Sequence, residues 1–426
     1  MKVNRGMFKV RSIIIIFFLC YAFILLSCNK EMPPEHFPPK YVQQIHLTAE
    51  DTSVTEITLN VAIAESVAQR AYSLYRDSQL LFTNKLTYSD TTFTDTALLP
   101  NHNYTYKAYR LLNNKAIDSC KIQVTTMDTT SHNFTFEIDT LGDGASSSLW
   151  DVAIINDTNV WAVGEIYLKD STGNFDPHLY NLARWNGHKW NLSRIYFPIC
   201  GTSDSAPFAA SAIFSFNANN IWITSAGTIM KWNGVSFTKM CISSNILTGS
   251  INKLWGKNID DVYIVGNLGT IVHYNGTTFT KIESGTTLDL YNIYGCVNYK
   301  TQEVEILAVG CRQAINEGNV VLKIRENTVT QIPNNGLPWS ITSFWFSPNK
   351  QYYIVGDGMF KKQKLTDSMW LAFHSGLTTY YTESIRGNAL NNVIVVGDYG
   401  VVLHFNGITW HNFLNETFYP MEDMGM

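Results

Sequence analysis

The stretch Asp261-Val262-Tyr263-Ile264-Val265-Gly266-Asn267-Leu268-Gly269-Thr270-Ile271-Val272-His273-Tyr274-Asn275-Gly276 decides the fold of this chain. Two short β-branched and aromatic runs flank a Gly-containing turn, and the second closes on an aromatic residue followed by Asn-Gly. Such runs read as strands, and Asn-Gly between them is the strongest short-range hairpin signal, expected here as a type I′ turn. Just upstream, residues 251–256 form a further strand-like piece, and residues 278–282 form another just downstream. The unit therefore predicts four antiparallel strands in about 32 residues.

Outward from it, the same phrases return. The second-strand run recurs as Val160-Trp161-Ala162-Val163-Gly164, Ile221-Trp222-Ile223-Thr224-Ser225, Ile306-Leu307-Ala308-Val309-Gly310, Tyr352-Tyr353-Ile354-Val355-Gly356 and Val393-Ile394-Val395-Val396-Gly397. Successive anchors stand 61, 41, 44, 46 and 41 residues apart. The aromatic-Asn-Gly phrase recurs at Trp185-Asn186-Gly187, Trp232-Asn233-Gly234 and Phe405-Asn406-Gly407. Fixed spacing near 40 residues marks a radial array of four-stranded sheets. The expectation is a six-bladed β-propeller over residues 131–416, with seven blades as the alternative. Residues 134–138 read as an extra outer strand that could complete the last blade, in competition with 409–413.

The repeat, roughly Asp-Val-Tyr-Ile-Val-Gly then Gly-Thr-Ile-Val-His-Tyr-Asn-Gly, resembles the propellers related to photosystem II assembly factors. Similar repeats occur in Bacteroidetes surface lipoproteins. That resemblance implies a binding scaffold rather than a catalyst, and transfers no functional residue.

Before the repeats, residues 41–127 carry short alternating strands at 56–61, 71–76, 91–94, 104–111 and 121–126. Leu98-Leu99-Pro100 followed by Tyr104, Tyr106 and Ala108 resembles the fibronectin type III pattern, although the usual strand-B Trp is missing. The resemblance implies a small β-sandwich acting as a spacer, with Tyr104 as a tyrosine corner bonded back to the chain. The fold class expected is thus all-β: a fibronectin type III-like sandwich followed by the propeller. Residues 417–426 remain as a C-terminal tail.

At the N-terminus, Lys2, Arg5, Lys9 and Arg11 precede an uncharged apolar run from Ile13 to Leu26. That run is shorter than the roughly 20 residues of a spanning helix and fits a signal-peptide core. It ends in Leu25-Leu26-Ser27-Cys28, which resembles the lipobox of bacterial lipoproteins. The resemblance implies removal of residues 1–27 and lipidation of Cys28, with the acyl chains as membrane partner. Asn29-Lys30-Glu31 and Glu35 resemble the export tag of Bacteroidetes surface lipoproteins. The implied location is the bacterial outer membrane, facing the cell surface, with its periplasmic face as the alternative. Pro33-Pro34 and Pro38-Pro39 make residues 28–40 a semi-rigid polyproline-type tether.

Composition narrows the function classes. The net charge of −4 and the absence of a basic block beyond the extreme N-terminus exclude a nucleic-acid partner. Of seven cysteines, Cys120, Cys200, Cys241, Cys296 and Cys311 remain after the leader and lipobox. Without a Cys-x-x-Cys, zinc and thioredoxin-like chemistry lack support, and no metal or cofactor is expected. One or two disulfides remain open. Cys296 and Cys311 fall near opposite ends of one hairpin, which argues against that pair.

His273 and His404 precede aromatic-Asn-Gly phrases, but Arg184 and Lys231 fill the same slot elsewhere, so all four read as polar strand positions. Asp260-Asp261 reads as turn chemistry. The Ser-x-Asp-x-Gly-x-x-Trp box of sialidase-like propellers is missing, and no catalytic residue is assigned; Asp170, Asp176, Asp204 and Asp357 are carboxylates placed only by loop location. Long insertions at 165–179 and 198–210, with a smaller one at 311–319, fall on one rim, where propellers recognise partners. The ligand-binding candidates there are Tyr167, Phe175, Asp176, His178 and Phe208, with Trp339 on the same side. These readings predict a non-catalytic, membrane-anchored protein binding a protein or carbohydrate partner. The alternatives are a propeller-based glycan-processing enzyme and a scaffold subunit of an envelope complex.

Overall fold

A computed structural model describes residues 43–66, 69–143, 146–298, 302–312 and 318–417. Cys28, the signal segment, the tether and the tail beyond Thr417 lie outside these residues, as does most of the small 311–319 insertion. The first domain packs a three-stranded sheet (Ile45–Thr52, Ile57–Ile63, Asp90–Asp95) on a four-stranded one (Gln79–Lys85, Ala71–Arg76, Asn103–Leu112, Lys115–Thr125). Period-2 alternation drives this: Ile57, Leu59, Val61 and Ile63 are buried, against Tyr72, Leu74, Tyr106 and Ala108 of the opposing sheet. The strands Ile45–Thr52 and Gln79–Lys85 go beyond those expected from the sequence. Tyr104 Oη accepts the Leu99 N–H at 2.8 Å, the bond expected of a tyrosine at that corner.

Six four-stranded antiparallel sheets follow, spanning residues 148–193, 212–241, 251–282, 289–331, 341–372 and 382–412. Each runs in sequence order from innermost to outermost strand, the pattern of propeller blades. The last outer slot is taken by Trp410–Asn412. Residues 134–138 form no strand; instead the Phe134 and Phe136 rings meet Phe413 edge-on, with centroids 5.4 and 5.2 Å away, so aromatic side-chain packing replaces the expected ladder.

The Asn-Gly hairpins differ from a type I′ turn. Each glycine has positive φ (89° to 100°), but no preceding asparagine does. The asparagine side chain takes over: Asn275 Oδ1 accepts the Thr277 and Thr278 N–H groups at 3.1 and 2.9 Å, and Asn186, Asn233 and Asn406 do the same. With a side-chain acceptor satisfying two amides, a four-residue loop is held without a second left-handed residue.

Neighbouring blades share hydrophobic cores across five boundaries, from the first blade through to the sixth. Knobs and sockets shape several of them. An ideal Cβ on Gly295 would lie 2.5 Å from the Trp255 ring, and one on Gly387 2.8 Å from Trp345. These inner-strand positions must be glycine because an indole from the preceding blade fills the space a side chain would need.

The sandwich docks on the face carrying the Asn-Gly hairpins. Lys350 Nζ donates to Thr58 Oγ1 at 3.0 Å and pairs with Asp51 at 3.2 Å. Asn391 Nδ2 donates to the Asp128 carbonyl at 2.8 Å, and Val54 packs on Gly407. In an up-and-down meander the links between second and third strands, and those between blades, lie on the opposite face. The long insertions therefore point away from the sandwich.

Candidate functional site

Two insertions of the first blade build that far rim. Residues 167–179 fold as a ribbon, with a bridge between Lys169 and Phe175 and the Lys169 ammonium 5.2 Å from the Phe175 ring. Asp170 closes its tip, accepting the Thr172 and Asn174 N–H groups at 2.8 and 3.1 Å. Arg194 clamps the base: its guanidinium lies 3.8 Å over the Tyr180 ring, binds Asp176 Oδ2, and donates to the His178 carbonyl at 2.7 Å. The His178 N–H and Arg194 together hold the Asp176 carboxyl below its usual range.

The second insertion, residues 194–211, contains a small hairpin (Phe197–Pro198 with Ser205–Ala206). The Cys200–Cys241 disulfide staples it to the outermost strand of the second blade. The buried Asn181, on the strand that follows the first insertion, pins both ends of the second, donating to the Ile195 and Phe208 carbonyls at 2.8 and 2.7 Å and accepting the Ile195 N–H at 2.7 Å. Every constraint acts on backbone or on a residue set back from the edge. Among exposed polar neighbours such as Thr172, Asn174, Thr202 and Asp204, the insertions present four exposed large hydrophobics: Phe175, Tyr196, Ile199 and Phe208.

The structure thus gathers Tyr167, Phe175, Asp176, His178 and Phe208 on linked insertions, but their roles differ. Phe175 and Phe208 are presented outward. Tyr167 is tied inward, its hydroxyl donating to Glu165 at 3.2 Å and its N–H to Ser147 Oγ at 3.0 Å. Asp176 and His178 serve the Arg194 clamp. Trp339 belongs to the link between the fourth and fifth blades and stands apart from this group. Tyr196, Ile199 and Arg194 were missed by sequence reasoning; the Cys200 beside them was the one signal that this loop is held.

In the channel, inner strands meet through polar spokes. Asp151 of the first blade pairs with Lys253 of the third, and its other oxygen accepts the Ile213 N–H at 2.9 Å. Arg386 of the sixth blade donates to Asn292 Oδ1 at 3.2 Å, Ser343 Oγ at 3.1 Å and the Phe344 carbonyl at 3.3 Å. Burial pushes the Lys253 ammonium down, with Asp151 opposing that effect. These groups tie blades to one another, a structural use of buried charge.

The histidines form a cluster that the sequence did not suggest. His404 is fully buried, with Nδ1 2.9 Å from His132 Nδ1 and Nε2 3.0 Å from Asn392 Oδ1. The His132 ring lies tilted against His411, centroids 5.3 Å apart. Burial, followed by His132 and His411, brings His404 down to about 4. His273 instead pairs with Asp261 at 2.8 Å and stacks on Tyr263. Among the described residues no group of three or more His, Cys, Asp or Glu side chains, this histidine cluster included, is arranged to hold a metal ion.

The architecture defines a six-bladed β-propeller carried on a β-sandwich. Solved structures similar to this chain include YCF48 bound to D1 peptide, 16% identical with a TM-score of 0.47, covering 63% of this chain and 83% of that one. YCF48 from Cyanidioschyzon merolae is 11% identical with a TM-score of 0.47, over 65% and 88% of the two chains. The RRP9 WD40 repeats are 11% identical with a TM-score of 0.45, over 64% and 82%. No protein-family model matches the chain, and no curated protein matches it.

Proposed function

We propose that this chain is a non-catalytic binding protein, tethered to the bacterial outer membrane through lipid on Cys28, whose propeller captures a protein partner on the first-blade rim. The observation that carries the reading is the pre-set apolar edge: Phe175, Tyr196, Ile199 and Phe208 exposed on insertions fixed by a disulfide, a buried Asn and an Arg clamp. Exposed apolar groups on a rigid frame suit recognition, because little ordering entropy is lost on binding. A protein partner fits better than a glycan. The Asp170 and Asp176 carboxylates are engaged by local bonds, leaving Asp204 as the exposed one on the second insertion, and Ile199 adds aliphatic surface.

The sandwich, on the opposite face, spaces this rim from the tether. Radiolabelled palmitate should enter the wild-type protein and fail to enter Cys28→Ser. For the rim, protein lacking residues 1–40 is immobilised beside the triple variant Phe175→Ala/Tyr196→Ala/Phe208→Ala, and envelope proteins retained by each are quantified. The reading expects one species whose retention drops at least tenfold on the triple variant. Equal retention by both would remove the rim from the account.

A further inference from the structure

The four-stranded sheet of the sandwich turns one face to the core and leaves the other open. The propeller is met elsewhere, through Asp51, Val54 and Thr58 on the three-stranded sheet and its loop. Alternation along Asn103–Leu112 buries Tyr104, Tyr106 and Ala108, and so sends Thr105, Lys107 and Tyr109 outward. In the register Ser73 stands opposite both Tyr109 and Thr83, and Tyr75 opposite Lys107, so these side chains share the outer face. They line a groove of about 710 Å³, a volume typical of small-ligand sites.

Charge on this face is one-sided. Lys107 stands directly opposite Lys121, where like charges repel across about 5 Å. No Asp or Glu lines the groove, and among the described residues neither ammonium has a carboxylate partner. Asp77, at the adjoining turn, accepts the Thr105 N–H at 2.8 Å. Lys121 lies on an edge strand, where a lysine guards against edge pairing, but Lys107 lies inboard and serves no such purpose. Its ammonium rests 4.9 Å from the Tyr109 ring, and Tyr109 meets Tyr75 edge-on with centroids 5.4 Å apart. The hydroxyls of Ser73, Tyr75, Thr83 and Tyr109 make no hydrogen bond among the described residues. Phenol rings, free hydroxyls and ammonium groups in one groove fit a ligand with apolar ring faces, many hydroxyls and negative charge. An acidic peptide lacks the ring faces and would seek unpaired backbone at an edge, whereas Ala71–Arg76 and Asn103–Leu112 are paired on both sides. A single inorganic anion would leave the tyrosines unused.

We propose that the outer face of this four-stranded sheet binds an acidic oligosaccharide, with sugar rings on Tyr75 and Tyr109 and carboxylate or sulfate groups on Lys107 and Lys121. The groove shares no residue with the first-blade rim and does not rest on the rim's role.

The test titrates the full chain, in detergent, with tetragalacturonate, a hyaluronan tetrasaccharide and a chondroitin sulfate tetrasaccharide by calorimetry. Neutral maltotetraose and the peptide tetraglutamate serve as comparators. At least one acidic sugar should bind, at least tenfold tighter than either comparator and more weakly as salt is added. Lys107→Gln/Lys121→Gln should cut that affinity at least tenfold, and Tyr109→Ala should weaken it too. The triple rim variant should bind as wild type does. Lys121→Glu gives Lys107 a partner and should abolish binding without lowering the thermal midpoint, which separates loss of the site from loss of the fold. The proposal is overturned if none of the three acidic sugars binds at millimolar concentration, if maltotetraose or tetraglutamate binds equally well, or if the lysine double variant binds fully. Binding seen only after removal of residues 1–40 would overturn it as well, by assigning the groove to the tether.

Discussion

Replacing Gly295 by alanine tests the inter-blade packing directly. The added Cβ would stand 2.5 Å from two carbons of the Trp255 ring, whereas carbon pairs settle at about 3.5–4.0 Å. Trp255 is buried within the core shared by the third and fourth blades, so the ring or the strand must move by about 1 Å. Overpacking of this kind costs about 1–3 kcal/mol. Trp255→Ala alone empties the knob and costs about 3–5 kcal/mol. In the double variant the methyl enters vacated space, so its loss falls below the sum of the singles by roughly the clash, about 1–3 kcal/mol. Urea unfolding of protein lacking residues 1–40, followed by tryptophan fluorescence with the slope checked for constancy, reads these differences. Additive losses would refute the contact, and a neutral Gly295→Ala would refute the blade register itself.

Acidification gives an independent expectation. His404 titrates at about 4 in the folded protein against 6.5 unperturbed, so the unfolded chain binds the proton first. Stability from this group is complete above about pH 6.5 and is lost as pH falls toward 4, by about 3 kcal/mol in all. His404→Gln should flatten that slope, and an unchanged pH profile would contradict the buried cluster. The Cys200→Ser/Cys241→Ser pair opens a loop of sequence separation 41, with an entropic loss of up to about 4 kcal/mol, visible as a lowered thermal midpoint and earlier cleavage of 194–211 by protease. Tyr104→Phe removes the acceptor of the Leu99 N–H and should lower sandwich stability by about 1 kcal/mol, read by the same unfolding assay.

The blades were legible because period-2 alternation and near-constant spacing survive substitution. Val262–Gly266 and its five relatives are all second strands, and all but the sixth, where Val396 is exposed, are buried on both faces. Turn chemistry was legible in place but not in kind. Asn275 was read as a left-handed residue, while its side chain does the work by bonding two amides, which depends on loop length rather than identity. Residues 134–138 alternate like a strand, yet what decides their fate is Phe413, far along the chain. The His132–His404 contact and the Cys200–Cys241 bond are likewise long-range pairings that no local pattern encodes. At the rim, loop length marked the two insertions that Arg194 ties together in the structure. Which side chains face outward was set by Arg194 and Asn181, whose roles depend on the folded geometry.

The central claim is that partner recognition occurs on the insertion-bearing rim, away from the sandwich. Hydrogen–deuterium exchange of the protein with and without its retained envelope partner measures this directly. The account predicts protection concentrated in residues 167–179 and 195–208. Protection confined to the channel-lining strands Ile251–Asn258 and Thr382–Ala389, with the insertions unchanged, would contradict it.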